Sequence, residues 1–78
     1  MLLEIYELEQ DVEVIKDVSM VTVPTVTGMR GLLPHHMNFM GELKSGIITI
    51  QSPKGQKSFE VQKGFFEFHE NVCRVFVE

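Results

Sequence analysis

The chain has 78 residues, 44% of them hydrophobic, with six Phe, five Met, one Cys and no Trp. That composition suits one small folded domain, residues 1–78, burying about 60% of the surface its unfolded form exposes. Eleven acids against seven dispersed bases give a net charge of −4, which argues against nucleic acid as a partner and provides no polybasic membrane anchor.

The lone Cys73 permits no intrachain disulfide and points to a reducing compartment. Glu4 interrupts the opening apolar run, and neither a signal peptide nor a transmembrane span is visible, so no direct membrane insertion is expected.

Along the chain, apolar residues recur with period two and helical spacing does not, which predicts an all-β fold. Leu3 and Ile5 share one face of a first strand, Val12 and Val14 one face of a second, and Val21 and Val23 one face of a third. Gly28, Gly31, Pro24 and Pro34 then predict a tight reversal and a second short strand that stops at Pro34. Met37 to Leu43 reads as a short irregular or strand-like passage, and Lys44-Ser45-Gly46 turns the chain.

Ile48 and Ile50 face inward in the next strand, which closes at a Ser52-Pro53-Lys54-Gly55 β-turn. The strand after it turns Phe59 and Val61 inward. Gly64 marks a bend, and Phe66 and Phe68 alternate with Glu67 and His69. A hairpin at Glu70-Asn71 leads to Cys73, Val75 and Val77 on one face. Short strands at nearly regular intervals predict two sheets packed face to face.

Chemistry-bearing groups are few. His35 and His36 are adjacent, so on an extended backbone their side chains point apart and do not chelate one ion; His69 or Cys73 would have to come from a distant hairpin. The favoured reading is that His36 anchors a loop by hydrogen bonding while His35 is exposed. Cys73, in phase with Val75 and Val77, reads as a small buried hydrophobe and not a nucleophile. The Gly28–Gly31 stretch lacks the Lys-Ser/Thr ending of a phosphate loop. No catalytic, cofactor-binding or metal residue is therefore assigned. Phe65, Phe68 and Phe76 cannot all share the inward phase, so some aromatic surface is left for a partner or for the ends of a thin sandwich.

The succession Val21-Thr22-Val23-Pro24-Thr25-Val26, Gly28, Gly31-Leu32-Leu33-Pro34, His36, Leu43-Lys44, Gly46-Ile47-Ile48, Phe59, Val61, Gly64-Phe65-Phe66-Glu67 and Asn71-Val72 resembles the epsilon subunit of the F-type ATP synthase over almost the full length. The resemblance implies a two-sheet β-sandwich of about ten short strands and a non-catalytic place in the rotor. There the domain would link the gamma subunit to the membrane c-ring and help couple proton flow to ATP synthesis, peripheral on the cytoplasmic face of a bacterial inner membrane.

By family position, Gly28, Met29, Arg30, Gly31 and His36 are the expected c-ring contacts. Phe65 and Phe68 are the expected gamma contacts. Relatives usually carry an acid or other polar residue at Met29, an apolar one at Arg30 and Gly at His35. They also continue into a C-terminal helical hairpin; with none present before Glu78, neither hairpin-mediated inhibition nor ATP binding is expected. Two other readings stand beside this one: a small metal-dependent β-sandwich enzyme using His35, His36 and His69, and an interaction adaptor outside the synthase.

Overall fold

The computed structural model describes every residue from Met1 to Glu78. It has nine strands and no helix: β1 (Leu2–Glu7), β2 (Glu13–Ile15), β3 (Met20–Thr25), β4 (Gly28–Leu32), β5 (Phe39–Leu43), β6 (Gly46–Ser52), β7 (Gly55–Val61), β8 (Gly64–His69) and β9 (Val72–Val77). They form one hydrogen-bonded path, β2-β1-β9-β8-β5-β3-β6-β7, with β4 on the other edge of β3.

The path is thin in the middle, where β3 and β5 share only the pair Thr25–Leu43. The sheet folds over at that point, and the layers β2-β1-β9-β8-β5 and β4-β3-β6-β7 close on one core. Every strand pair is antiparallel except β1 with β9. The sequence led us to expect about ten strands; there are nine.

The core takes one residue in two from the strands that face it. Leu3 and Ile5, Val21 and Val23, Ile48 and Ile50, Phe66 and Phe68, and Cys73 and Val75 are all buried, and Phe59 and Val77 pack against them. These are the faces that the alternation predicts. The passage from Met37 to Leu43 resolves into two irregular residues followed by β5, which carries Phe39 and Leu43 to the core.

Val12 and Val14 depart from expectation. Both are about half exposed, and Ile15 packs on the core instead. The register explains this: Leu3 lies opposite Ile15 and Glu4 opposite Val14, so Val14 shares the outer face with Glu4. Alternation within β2 fixed its phase only relative to itself, and pairing with β1 chose the face.

The turns follow backbone chemistry. Hairpins β3–β4 and β6–β7 both close on glycine, with φ of +118° at Gly28 and +115° at Gly55, a region closed to most side chains. Thr25 reinforces the first of them: its buried hydroxyl donates to the Gly28 carbonyl at 2.6 Å and accepts from the Thr27 N–H at 3.2 Å. Glu70 and Asn71 both adopt positive φ, 49° and 62°, as a two-residue hairpin of the I′ kind requires.

Burial of Cys73 has a measurable consequence. Desolvation pushes its thiol up to about 12 from 9.0, so the folded state holds a proton that the unfolded chain releases at lower pH. Stability is unaffected by this group below about pH 9 and falls by about 1.4 kcal/mol per pH unit from there to about 12. Urea titrations at pH 8, 10 and 11 should show a steeper decline in the parent than in Cys73→Ala; equal slopes would refute the assignment.

Candidate partner-docking face and end loops

The outer face of β1, β9 and β8 is built by register. Tyr6 lies opposite Phe76 and Phe76 opposite Phe65, and the three rings stack across the strands with centroids 4.8 Å apart at each step. Beside this row runs a charged one. Arg74 Nε donates to Glu4 Oε1 at 2.9 Å and Nη1 to Glu67 Oε1 at 3.4 Å, while the Tyr6 hydroxyl donates to the same Glu4 oxygen at 2.8 Å. That hydrogen bond, with desolvation and the Glu4 charge, holds the Tyr6 phenol above its ordinary pKa.

Val14 and Met40 flank the charged row in register with Glu4 and Glu67, and both are exposed. The face is therefore apolar at its margins and along one row, with a tied ion-pair network between. Nothing in the sequence marks Tyr6, Glu4, Arg74 and Glu67 as neighbours. Only cross-strand register assembles them.

Phe65 belongs to this face at 54% exposure, whereas Phe68 is 1% exposed. The expected partner contact at Phe68 is corrected accordingly: it lies two residues beyond Phe66 and so shares that residue's inward phase, leaving no surface to offer. Its ring packs inside against His36, with centroids 5.7 Å apart.

The expected ring-contact residues lie elsewhere. Gly28, Met29, Arg30 and Gly31 form strand β4, not a loop; the reversal is the two-residue turn Val26-Thr27, and pairing with β3 runs from Thr25–Gly28 to Val21–Leu32. Met29 points outward, 59% exposed. Arg30 lies opposite the buried Val23 and sets its guanidinium 4.4 Å above the Phe39 ring. Its stem thus covers core where an apolar side chain would sit, while its charge rests on an aromatic face.

His36 lies in the bend between β4 and β5. Its N–H donates to the Leu33 carbonyl at 3.1 Å and its Nδ1–H to the Met37 carbonyl at 2.8 Å, so the ring anchors the bend. His35 is exposed at φ +65°, and its N–H donates to Asn71 Oδ1 at 2.8 Å. Reciprocally, the Glu70 N–H donates to Asn38 Oδ1 at 3.1 Å. Two asparagine side chains thereby fasten the His35–His36 bend to the β8–β9 turn, a link the sequence does not show.

Positive φ at the residue after Pro34 is the geometry a type II turn reserves for glycine. His35→Gly should therefore raise stability by about 0.5 kcal/mol, relief of strain outweighing the added chain entropy. Urea midpoints test this, and an unchanged or lower midpoint would count against strain at His35. No three His, Cys, Asp or Glu side chains converge as metal ligands, and His35, His36 and His69 are not brought together into a ligand set.

The chain is thus a β-sandwich whose end loops are fastened to each other by asparagine side chains and whose outer face carries a stacked aromatic row. The family described as "ATP synthase, Delta/Epsilon chain, beta-sandwich domain" matches residues 2–78. The chain is 38% identical over 60 residues to the ATP synthase epsilon chain of Pelagibacter ubique, covering 77% of this chain and 46% of that one. It is 38% identical over 56 residues to ATP synthase subunit delta′, mitochondrial, of Pisum sativum, covering 72% and 28%. The chain thus spans less than half the length of these relatives.

Among solved structures, a chain of the Tetrahymena thermophila mitochondrial ATP synthase central stalk and c-ring superposes with a TM-score of 0.83 at 15% identity, covering 97% of this chain and 61% of that one. A chain of the Euglena gracilis mitochondrial enzyme gives 0.83 at 20%, covering 96% and 48%. At such identities these two show the fold alone. This chain belongs to the ATP synthase delta/epsilon β-sandwich family.

Proposed function

We propose that the chain serves as the central-stalk domain of a proton-translocating F-type ATP synthase, linking the gamma subunit to the c-ring so that ring rotation is coupled to ATP synthesis. The observation that carries this reading is the family match across residues 2–78. The fold is suited to such work, since a closed core resists shear and its outer faces remain free for contacts. The domain does no chemistry in this scheme. It works peripherally at the energy-transducing membrane, which in a bacterial cell is the cytoplasmic face of the inner membrane.

The gamma subunit docks on the Tyr6–Phe76–Phe65 face, where Phe65 supplies the most exposed aromatic ring of the row. The c-ring is met by β4 and the adjoining bend: Gly28, Met29 and Gly31 along the strand and His36 behind them. Arg30 contributes chiefly by holding that end of the sandwich through Phe39.

Co-purification with the gamma subunit tests the reading. The parent should bind at micromolar concentration, and Phe65→Ser should weaken binding at least tenfold while changing stability by less than about 1 kcal/mol, as expected for truncating an interface aromatic that is solvent-exposed in the free chain. No complex at micromolar concentrations would overturn the proposed link to gamma, and undiminished binding by Phe65→Ser would remove this face from it.

A further inference from the structure

The strand path has two outer ends, β2 and β7, and they approach without pairing. One ion pair crosses between them, Lys57 Nζ to Glu13 Oε2 at 2.7 Å, with both side chains largely exposed. Between the ends runs an open groove of about 670 Å³, lined on one side by Glu13, Ile15 and Lys16 and on the other by Lys54, Gln56 and Lys57. β7 is seven residues long, bonded to β6 along its whole length, and unpaired along its other edge.

An unpaired edge is a template for another strand, and proteins ordinarily shorten, charge or cover such edges. β2 is only three residues long. β7 is full-length, and the single side chain tied across the seam is Lys57. The local charge is also opposite to that of the molecule. Lys16, Lys54 and Lys57 line the groove against Glu13 and Asp17, in a chain with eleven acids and seven bases.

We propose that the seam between β2 and β7 is a strand-addition site for an extended acidic segment of another polypeptide. The segment pairs with the free edge of β7. Main-chain hydrogen bonds give it affinity, and Lys16 and Lys54 select acidic side chains on the incoming strand. A second copy of this chain is the poorer occupant, since its own free edge carries the same lysines. The site adjoins the proposed gamma face only at Val14, and the strand pairing on the free edge of β7 does not depend on that face or on the ring surface.

The probe is a blocked heptapeptide of alternating glutamate and valine, titrated into the ¹⁵N-labelled chain. The expected result is saturable amide shifts confined to β2 and β7, half-complete below about 1 mM, the weak range open to a short strand without a buried anchor. The double variant Lys16→Glu, Lys54→Glu should bind about tenfold more weakly while keeping the dispersed core resonances of the parent. A peptide N-methylated at alternate residues should bind no better than background.

The proposal is overturned by an absence of shifts at 1 mM, by shifts centred outside the seam, or by N-methylated peptide binding as well as the parent peptide. It is equally overturned if β7 shifts with protein concentration alone, which would make a second copy the occupant.

Discussion

Gly64→Ala should be among the most destabilising single substitutions in this domain. A Cβ at Gly64 would stand 2.1 Å from the Phe76 carbonyl oxygen and 3.1 Å from the Val77 Cα. Both are backbone atoms, so no rotamer change makes room. Gly64 pairs with Val77 at the end of the β8–β9 ladder, and the only escape is for the two strands to part there. Parting them unstacks Phe65 from Phe76 and frees the bond from the Glu78 N–H to the Lys63 carbonyl. We expect a loss of about 3 kcal/mol, the upper range for forced overpacking.

A chain of this size has roughly 4 to 12 kcal/mol in total. Urea denaturation should therefore show a much lowered midpoint. Gly31→Ala is the internal comparison, because nothing lies within 4 Å of the place its new methyl would occupy; its stability should change by no more than about 0.5 kcal/mol. Equal effects at the two glycines would refute the close-approach argument.

Phe68→Ala should be comparably damaging for the opposite reason. Removing its buried ring leaves a void among Phe39, Phe66 and His36, the neighbours that its packing orders. Loss of transfer energy and the residual cavity together cost about 3 to 5 kcal/mol. Phe65→Ala, three positions earlier, should cost less than about 1 kcal/mol, since more than half of that residue is already in water. Thermal melts of the two variants measure the contrast. A similar loss in both would contradict the placement of the two rings on opposite faces.

Those two phenylalanines show where reading from sequence succeeds and where it stops. Alternation put Phe66 and Phe68 on one face and left Phe65 on the other, yet it did not say which surface Phe65 joins. Assigning Phe68 to a partner relied on family position, and the phase of its own strand argued otherwise. Val14 failed differently. A three-residue strand has too little pattern to announce its inner face, and the pairing of Glu4 with Val14 decided it.

The Gly28–Gly31 stretch was legible as a reversal followed by a short strand, but that the strand begins at Gly28 itself was not. β4 bonds along all five residues to β3, and Arg30 is turned inward on Phe39. Long-range hydrogen bonds such as His35 to Asn71 and Glu70 to Asn38 were beyond reach, because each joins residues more than thirty positions apart.

Whatever depends on neighbours in the chain could be read from the residues directly. Period-two burial marked the strands, Gly28, Gly55 and Asn71 marked the turns, and the order of short motifs marked the family. Whatever depends on register between strands distant in sequence came from the folded molecule: the Tyr6–Phe76–Phe65 stack, the Arg74 ion-pair network, the inward turn of Arg30 and the open seam at β7. Local backbone preferences are written residue by residue, whereas a surface is made by pairing, and one step of register exchanges its two faces.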